Sequence, residues 1–470
     1  MRKSLVFSTI AAVLLAGCTV GPNYQRPAIP PPANFRAPEG TPASASASVG
    51  DLKWFEVFKD EKLQELVRTA LAQNYDIRDA VARVDAASAQ LGVTRSNQYP
   101  NVGAGADIST VRLSRNGQTP LPASFVPSQN RTFGGATLDL LSFEVDIWGR
   151  LRRATEAARA NLLGAEENRK AVMTTLVSEV ASNYFSLREL DYQLEISQRT
   201  LATRQDSLRL IQNRQAGGVA TLLDLRQGEQ LVYTASETIP TLQQQIEQTE
   251  NQISLLLGKN PGEVLRGRSL TEQEMPPDVP AGLPSALLER RPDIRAAEQN
   301  LIAANAEIGV AKAAYFPQIS LSGFLGGQGT QLASLFSGPS AVWNFTPQVT
   351  QPIFTAGRLK SEVKLSQAQR EIALIQYEKT IQTAFTEVSN ALIAHQRVRE
   401  SRVQQELLVA ALQDRTRLAY VRYTGGVDTL LNALDSDRDL FQAELTLSQI
   451  RLNELDSVVQ LYKALGGGWQ

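Results

Sequence analysis

Gln318-Ile319-Ser320-Leu321-Ser322-Gly323-Phe324-Leu325 alternates in side-chain character with a period of two, and that period decides the fold. A strand of this kind turns one face toward an apolar phase and the other toward water. Its partner follows, with Trp343, Phe345, Val349 and Ile353 alternating against Asn344, Thr346, Gln348 and Thr350. The pairing also occurs earlier, where Val102, Ala104, Ala106 and Ile108 alternate against Gly103, Gly105, Asp107 and Ser109. The partner there, Phe133 to Ile147, is noisier, and its phase slips near Leu140-Leu141. Polar segments bearing Gly or Pro, Ser114 to Asn130 and Gly327 to Ser340, read as the intervening loops. Strands of about 9–11 residues with one apolar and one polar face fit a transmembrane barrel. A soluble hairpin packed on helices is the competing reading.

Two hairpins give four strands per chain, and four strands cannot close a barrel. Open sheet edges are not tolerated in lipid, and a barrel of about eight strands is filled by its own side chains. A homotrimer would supply 12 strands, enough for a water-filled lumen. After the leader no stretch reaches 18 consecutive apolar residues, so no transmembrane helix is expected.

Around the strands the chain repeats itself. Gly149-Arg150-Leu151 returns 208 positions later as Gly357-Arg358-Leu359. The same offset maps Gly217-Gly218-Val219 onto Gly425-Gly426-Val427, and Thr221-Leu222-Leu223 onto Thr429-Leu430-Leu431. A tandem duplication accounts for this most simply. Gly149 to Arg214 contains no Pro and predicts one helix about 100 Å long. Met173, Val180, Leu187, Leu194, Leu201 and Leu208 recur every seven residues along it, a coiled-coil seam. In the second copy His395 stands in place of Leu187 and reads as a packed interface histidine. Gly-Gly breaks each long helix before an antiparallel return.

The single Cys of the 470 residues is Cys18. It follows a basic n-region, Arg2 and Lys3, and an apolar run from Leu5 to Leu15, so 1–17 reads as a secretory signal. Leu15-Ala16-Gly17-Cys18 looks like a bacterial lipobox whose thiol carries lipid, and Thr19 after it favours the outer membrane. A tether at 18–52, rich in Pro and Ala-Ser, reads as extended with no core of its own. The first repeat spans 53–258, with a strand pair at 101–148, a long helix at 149–215 and a return helix at 221–257. A Pro-rich linker occupies 259–284. The second repeat spans 285–470, with its strand pair at 318–354, long helix at 357–423 and return helix at 429–465.

Composition removes other classes. With 47 basic and 48 acidic residues the net charge is −1, against the basic surface of a nucleic-acid binder. One Cys and one His exclude a disulfide framework and most metal centres. Ser361-Glu362-Val363-Lys364 fits S-x-x-K without its companion motifs, and Asp435, Asp437 and Asp439 lack the Gly and distal Glu of a calcium loop. Arg290-Arg291-Pro292-Asp293 suits a helix start. No catalytic residue, metal site or cofactor other than the lipid on Cys18 is expected.

Taken in order, several pieces resemble the TolC/OprM-like outer membrane factors, nearest the OprM-like (NodT-type) lipoprotein branch. They are Leu15 to Cys18, Gly21-Pro22-Asn23-Tyr24, Trp148-Gly149-Arg150 and Gly282-Leu283-Pro284-Ser285. Leu288-Glu289-Arg290-Arg291-Pro292-Asp293-Ile294, Phe354-Thr355-Ala356-Gly357 and the terminal Tyr462 to Trp469 complete the set. The resemblance implies a mainly α, mixed fold: a trimeric 12-stranded transmembrane β-barrel continuing into a long periplasmic α-helical barrel of 12 helices, with an equatorial mixed region. It implies a passive duct for small toxic compounds, served by a periplasmic adaptor and an inner-membrane pump of the resistance-nodulation-division class. It also implies a gate at the helical tips marked by Gly217, Gly218, Gly425 and Gly426. Tyr423, Leu431 and Asp435 match the rings of Tyr, Leu and Asp that close the family's tip, and Asp224 and Asp428 lie beside them. Two other functions stay open: the outer membrane channel of a type I protein secretion system, and a lipid-anchored coiled-coil scaffold without a pore.

Overall fold

The computed structural model describes residues 19–37, 48–112, 130–274 and 284–469. The leader, Cys18, part of the tether, the first strand-pair loop and residues 275–283 of the linker lie outside them. In chain order the first repeat holds α1 (Glu61–Gln73), α2 (Tyr75–Ser96), β1 (Asn101–Arg112), β2 (Asn130–Glu144), α3 (Arg150–Ala216) and α4 (Leu222–Leu256). The second holds α5 (Pro284–Arg290), α6 (Pro292–Ala313), β3 (Gln318–Gly329), β4 (Ala341–Thr350), α7 (Arg358–Thr424) and α8 (Leu430–Ala464). The helices come in equal pairs: α2 and α6 have 22 residues each, α3 and α7 have 67, and α4 and α8 have 35. At ~1.5 Å per residue the longest pair extend about 100 Å. Pro240 lies inside α4 without ending it. No helix among the described residues is long and apolar enough to cross a membrane.

The chain divides into two compact units. The first gathers residues up to Pro27, Val84–Ala165 and Ala297–Tyr377 around an antiparallel sheet in the order β1-β2-β3-β4. Register sets its two faces. Ala104 pairs with Leu138, Leu138 with Leu325 and Leu325 with Trp343, so one face is apolar across every strand. Asp107 opposite Gly135, and Gly135 opposite Gln328, belong to the other face. The β2 ladder shifts register between Leu140 and Phe143, where the sequence loses its phase. The apolar face is bare: Ile108 is 82% exposed and Trp343 78%. β1 and β4 each have one neighbour, which leaves two open edges. Both strand pairs stop short of their sequence bounds at the C-terminal end, since Val145 to Trp148 and Gln351 to Phe354 lie outside β2 and β4. Ile353 is therefore no strand residue. The second loop begins later than the sequence indicates, because β3 runs on to Gly329, and it holds two short 3-10 turns.

The start of the tether is extended and docked. The amide of Val20 donates to the Trp148 carbonyl at 3.0 Å. Arg153 donates to the Asn23 side chain at 2.7 Å, and Asn305 donates to the Pro22 carbonyl at 2.9 Å. Tyr24 and Arg26 both hold Glu298, at 3.0 and 2.7 Å. Gly149 has φ +78°, and a Cβ there would stand 2.7 Å from Thr19 Cγ2, so this crossing requires glycine. Trp148 fixes the crossing by donating to the Pro317 carbonyl at 2.9 Å and stacking on Phe316 at 4.7 Å.

The second unit gathers Ala28–Arg83, Glu166–Ala296 and residues from Glu378 onward. At the end of the tether the chain is not extended, because Val49–Asp51 form a capped 3-10 turn with Val49 buried. On the heptad seam Val180 and Leu187 are buried, and Met173, Leu194, Leu201 and Leu208 are half-buried. His395 packs with its Nδ1 2.9 Å from Ser457 Oγ, and burial and Arg399 push its pKa down. Arg291 is buried against Asp293, Glu387 and the Ala464 carbonyl, a structural use. Asp60 ties three segments together. It caps α1 through the Lys62 and Leu63 amides, and accepts from Tyr184 at 2.8 Å and from the Arg268 amide and Gln273 at 2.9 Å.

Burial pushes the Asp60 carboxyl up, but hydrogen bonds from Gln273, Tyr184 and the Arg268 and Lys62 amides outweigh it and hold its pKa below the ordinary aspartate value. A folded pKa below the unfolded one gives stability that is full at neutral pH. It is lost as pH falls from the ordinary value through the folded one. Asp60→Asn is predicted to cost about 2 kcal/mol at neutral pH. The variant also loses part of the acid-side decline in denaturation midpoint; an unchanged pH profile would show that Asp60 adds nothing through its charge.

Candidate functional site at the helical hairpin tips

α3 and α4 form one hairpin and α7 and α8 the other, each turning at a Gly-Gly pair. After α3, Gly218 takes φ +74°, and the Gly218 and Val219 amides donate back to the Gln215 and Arg214 carbonyls at 3.0 and 2.8 Å. After α7, Gly426 takes φ +75°, with matching bonds from Gly426 and Val427 to Tyr423 and Arg422 at 3.1 and 3.0 Å. Both turns satisfy the last helical carbonyls with a left-handed residue, which glycine adopts without strain. The second glycine of each pair carries that requirement, while Gly217 and Gly425 keep negative φ.

The next helix starts differently at each tip. At the first, Thr221 and Asp224 form a reciprocal capping box: the Asp224 amide donates to Thr221 Oγ1 at 3.1 Å, and the Thr221 amide donates to Asp224 Oδ2 at 2.7 Å. At the second, Thr429 makes no side-chain cap bond. Asp428 substitutes, accepting from the Thr429 amide at 2.8 Å, Asn432 at 2.7 Å and Arg422 Nε at 3.0 Å. Asn432, the Thr429 amide and Arg422 hold the Asp428 carboxyl below its ordinary pKa.

Between the hairpins lies a small core of Ile211, Ala419, Tyr423, Leu430, Ala433 and Leu434, with Leu225 and Leu231 against it. Tyr423 is 7% exposed, and the Arg214 guanidinium lies 4.7 Å from its ring centre. Named from sequence among the gate residues, Tyr423 has its phenol body in the core between the hairpins. Leu431 is 50% exposed, outside this core. Asp435, one turn along, is half-buried with Arg438 3.4 Å away. Asp437 and Asp439 go elsewhere, to Arg204 at 2.6 Å and Arg415 at 2.9 Å. Among the described residues no cluster of acidic and histidine side chains is arranged to hold a metal.

The sequence pattern of the family described as "Outer membrane efflux protein" matches this chain twice, over residues 66–259 and 283–467. The chain belongs to the outer membrane efflux protein family. The toluene efflux pump outer membrane protein TtgC of Pseudomonas putida is 39% identical over 472 residues, covering 100% of this chain and 96% of that protein. The cation efflux system protein CusC of Escherichia coli is 34% identical, covering 98% of this chain and 97% of that protein. The solved open state of the Neisseria gonorrhoeae MtrE outer membrane channel matches with a TM-score of 0.85 and 30% identity, covering 96% of this chain and 99% of that one. This efflux protein is therefore an outer membrane component, and its bare apolar sheet face has lipid to meet.

Within the efflux protein's tips, the structure sorts the residues named from sequence. Leu431 and Asp435 share one uncovered face of α8. Asp224 and Asp428 are occupied in capping, and Tyr423 is in the core. Sequence reasoning missed Arg204, Arg214 and Arg422. For Arg204 a signal existed, since it falls three residues after Leu201, at the second core position of the heptad, where an unpaired charge is not tolerated. Arg214 and Arg422 carry no such mark.

Tyr423→Ala is predicted to cost about 3 kcal/mol of local stability, because a buried aromatic is removed from a core that cannot collapse around it. Amide exchange at 420–434 then quickens, read by mass spectrometry on the detergent-solubilised protein. Unchanged exchange would return Tyr423 to a free tip position.

Proposed function

We propose that the protein is the passive exit duct of a tripartite efflux pump, working as a homotrimer with a periplasmic adaptor and an inner-membrane pump of the proton-driven resistance-nodulation-division class. One observation carries the trimer: a four-stranded sheet with an exposed apolar face and two open edges. In lipid those edges need partners, and three copies provide 12 strands with the polar face turned to a lumen. The family name and the efflux relatives support export of small toxic compounds over protein secretion. TtgC is named for toluene and CusC for cations, so substrate choice is assigned to the pump and not to the duct. A pore-free scaffold leaves the apolar sheet face without a use. No catalytic step, metal or cofactor enters the proposal.

In this reading Leu431 and Asp435 form the constriction, three of each around the axis. A ring of leucines excludes water, and a ring of carboxylates attracts cations while repelling itself. Asp224, Asp428 and the Gly-Gly turns hold the backbone of the tips, and Tyr423 holds the hairpins together.

The purified protein is predicted to run as a detergent-stable trimer and to conduct ions in planar bilayers, and a stable non-conducting monomer would sink the proposal. Leu431→Ala and Asp435→Ala are each predicted to raise single-channel conductance about twofold or more, the order expected when a dewetting or charged ring is removed. Unchanged conductance in both would remove these residues from the constriction. Cys18 is proposed as the lipid attachment point. Labelling of growing cells with a palmitate analogue marks the wild-type chain and leaves Cys18→Ala unmarked; an unlabelled wild type rules out the anchor.

A further inference from the structure

Arg204 is among the most enclosed charged side chains at the hairpin tips, with 2% of its side chain exposed. It lies on α3 and reaches two other helices. Its Nε donates to Asp437 Oδ2 on α8 at 2.6 Å, and its Nη1 donates to the Leu231 carbonyl on α4 at 3.0 Å. The Phe441 ring of α8 lies 4.9 Å from its guanidinium carbon. Nη2 is buried without a hydrogen-bond partner.

Packing does not demand a charge at this place. The internal repeat supplies the comparison, because the position 208 residues on is Leu412. Leu412 packs against an apolar cluster of Val409, Ala443 and Leu447. The second copy thus fills the equivalent site with a hydrocarbon, and a buried ion pair is commonly no more stable than such a replacement. What an ion pair adds is orientation, since it is satisfied in one geometry only, whereas an apolar stripe tolerates slippage.

The orientation concerned is that of α8 about its own axis. Leu430, Ala433, Leu434, Asp437 and Phe441 form its buried stripe. At ~100° per residue, Asp437 stands about 200° from Asp435 and about 240° from Leu431. Drawing Asp437 inward therefore turns Leu431 and Asp435 outward. We propose that Arg204 is a positioning residue for the constriction: its grip on Asp437 and on the Leu231 carbonyl sets the rotation of α8 that presents Leu431 and Asp435 to the pore. The inference rests on the assignment of Leu431 and Asp435 to the constriction.

The test uses the full-length trimer in planar bilayers, with Leu431→Ala and Asp435→Ala as reference arms. Arg204→Met/Asp437→Leu removes the pair and leaves no orphaned charge. It is predicted to assemble, to keep its thermal midpoint within a few degrees, and to raise conductance about twofold although both constriction residues are intact. Arg204→Lys keeps the charge but loses the fork that reaches Leu231 and Asp437 together, and is predicted to give an intermediate conductance. Arg204→Lys carries the test if the double variant does not assemble. Wild-type conductance in the pair variants, with raised conductance in the reference arms, overturns the positioning role and leaves the constriction standing. Wild-type conductance in all four overturns both. A lowered thermal midpoint with unchanged conductance makes Arg204 a stability residue and overturns the inference.

Discussion

A sheet in lipid must satisfy every backbone donor and acceptor from within the protein, since hydrocarbon supplies none. That constraint governs the rest of this molecule. Its four strands bond to one another and leave the outer rows of β1 and β4 unpaired. The apolar face sharpens the demand, because Trp343 and Ile108 lie bare on a chain whose family places it in the outer membrane. The bare apolar face suits lipid and not water, and the open edges do not suit lipid at all. Closure with further copies answers both at once, and it follows from hydrogen bonding and area rather than from any side-chain contact between copies.

The helical part answers a different demand, that of holding very long helices in a fixed register. Helices of 67 residues gain most of their stability from tertiary packing rather than from propensity. Apolar seams supply packing energy but poor register. Polar contacts at intervals supply the register: Ser448 donates to buried Glu189 at 3.0 Å, Arg199 meets Glu444 at 2.8 Å, and Arg204 meets Asp437. Burial pushes the Glu189 carboxyl up despite its bonds from Ser448 and Gln193, so this contact carries a desolvation cost. Such groups are worth more for alignment than for net stability.

Much of the fold was legible because it depends on short periods. Alternation over eight residues at Gln318–Leu325 is a local signal, as is the phase slip at Leu140-Leu141 that becomes a shift in the ladder. The Gly-Gly turns were legible because a left-handed residue at a helix end selects glycine within a few positions. Contacts remote in sequence were not. Nothing in Gly21-Pro22-Asn23-Tyr24 declares that it docks on Arg153, Glu298 and Asn305. Tyr423 has the polarity of a pore residue and the volume of a core residue, and its packing against Ile211 and Arg214 is marked by no local pattern. Residues 204 and 437 are 233 positions apart, so their pairing has no sequence period to betray it.

The two hairpins descend from one pattern and have diverged in what secures them. The first closes its own turn: Thr221 and Asp224 cap α4 reciprocally, within four residues and without an ion pair. The second has lost that box, since Asn432 stands where Asp224 does and Thr429 makes no side-chain cap bond. Its substitute, Asp428 with Arg422, is solvent-facing, and exposed ion pairs contribute little. What holds the start of α8 is therefore the neighbouring hairpin. Ile211, Leu225 and Leu231 of the first hairpin close around Leu430, Ala433 and Leu434, and Arg214 covers the ring of Tyr423. Stability at the second tip is borrowed from the first. Leu431 and Asp435, which that arrangement leaves outside the core, lie on the return helix with the weaker cap, so their exposure follows from the packing of the first hairpin rather than from the turn beside them.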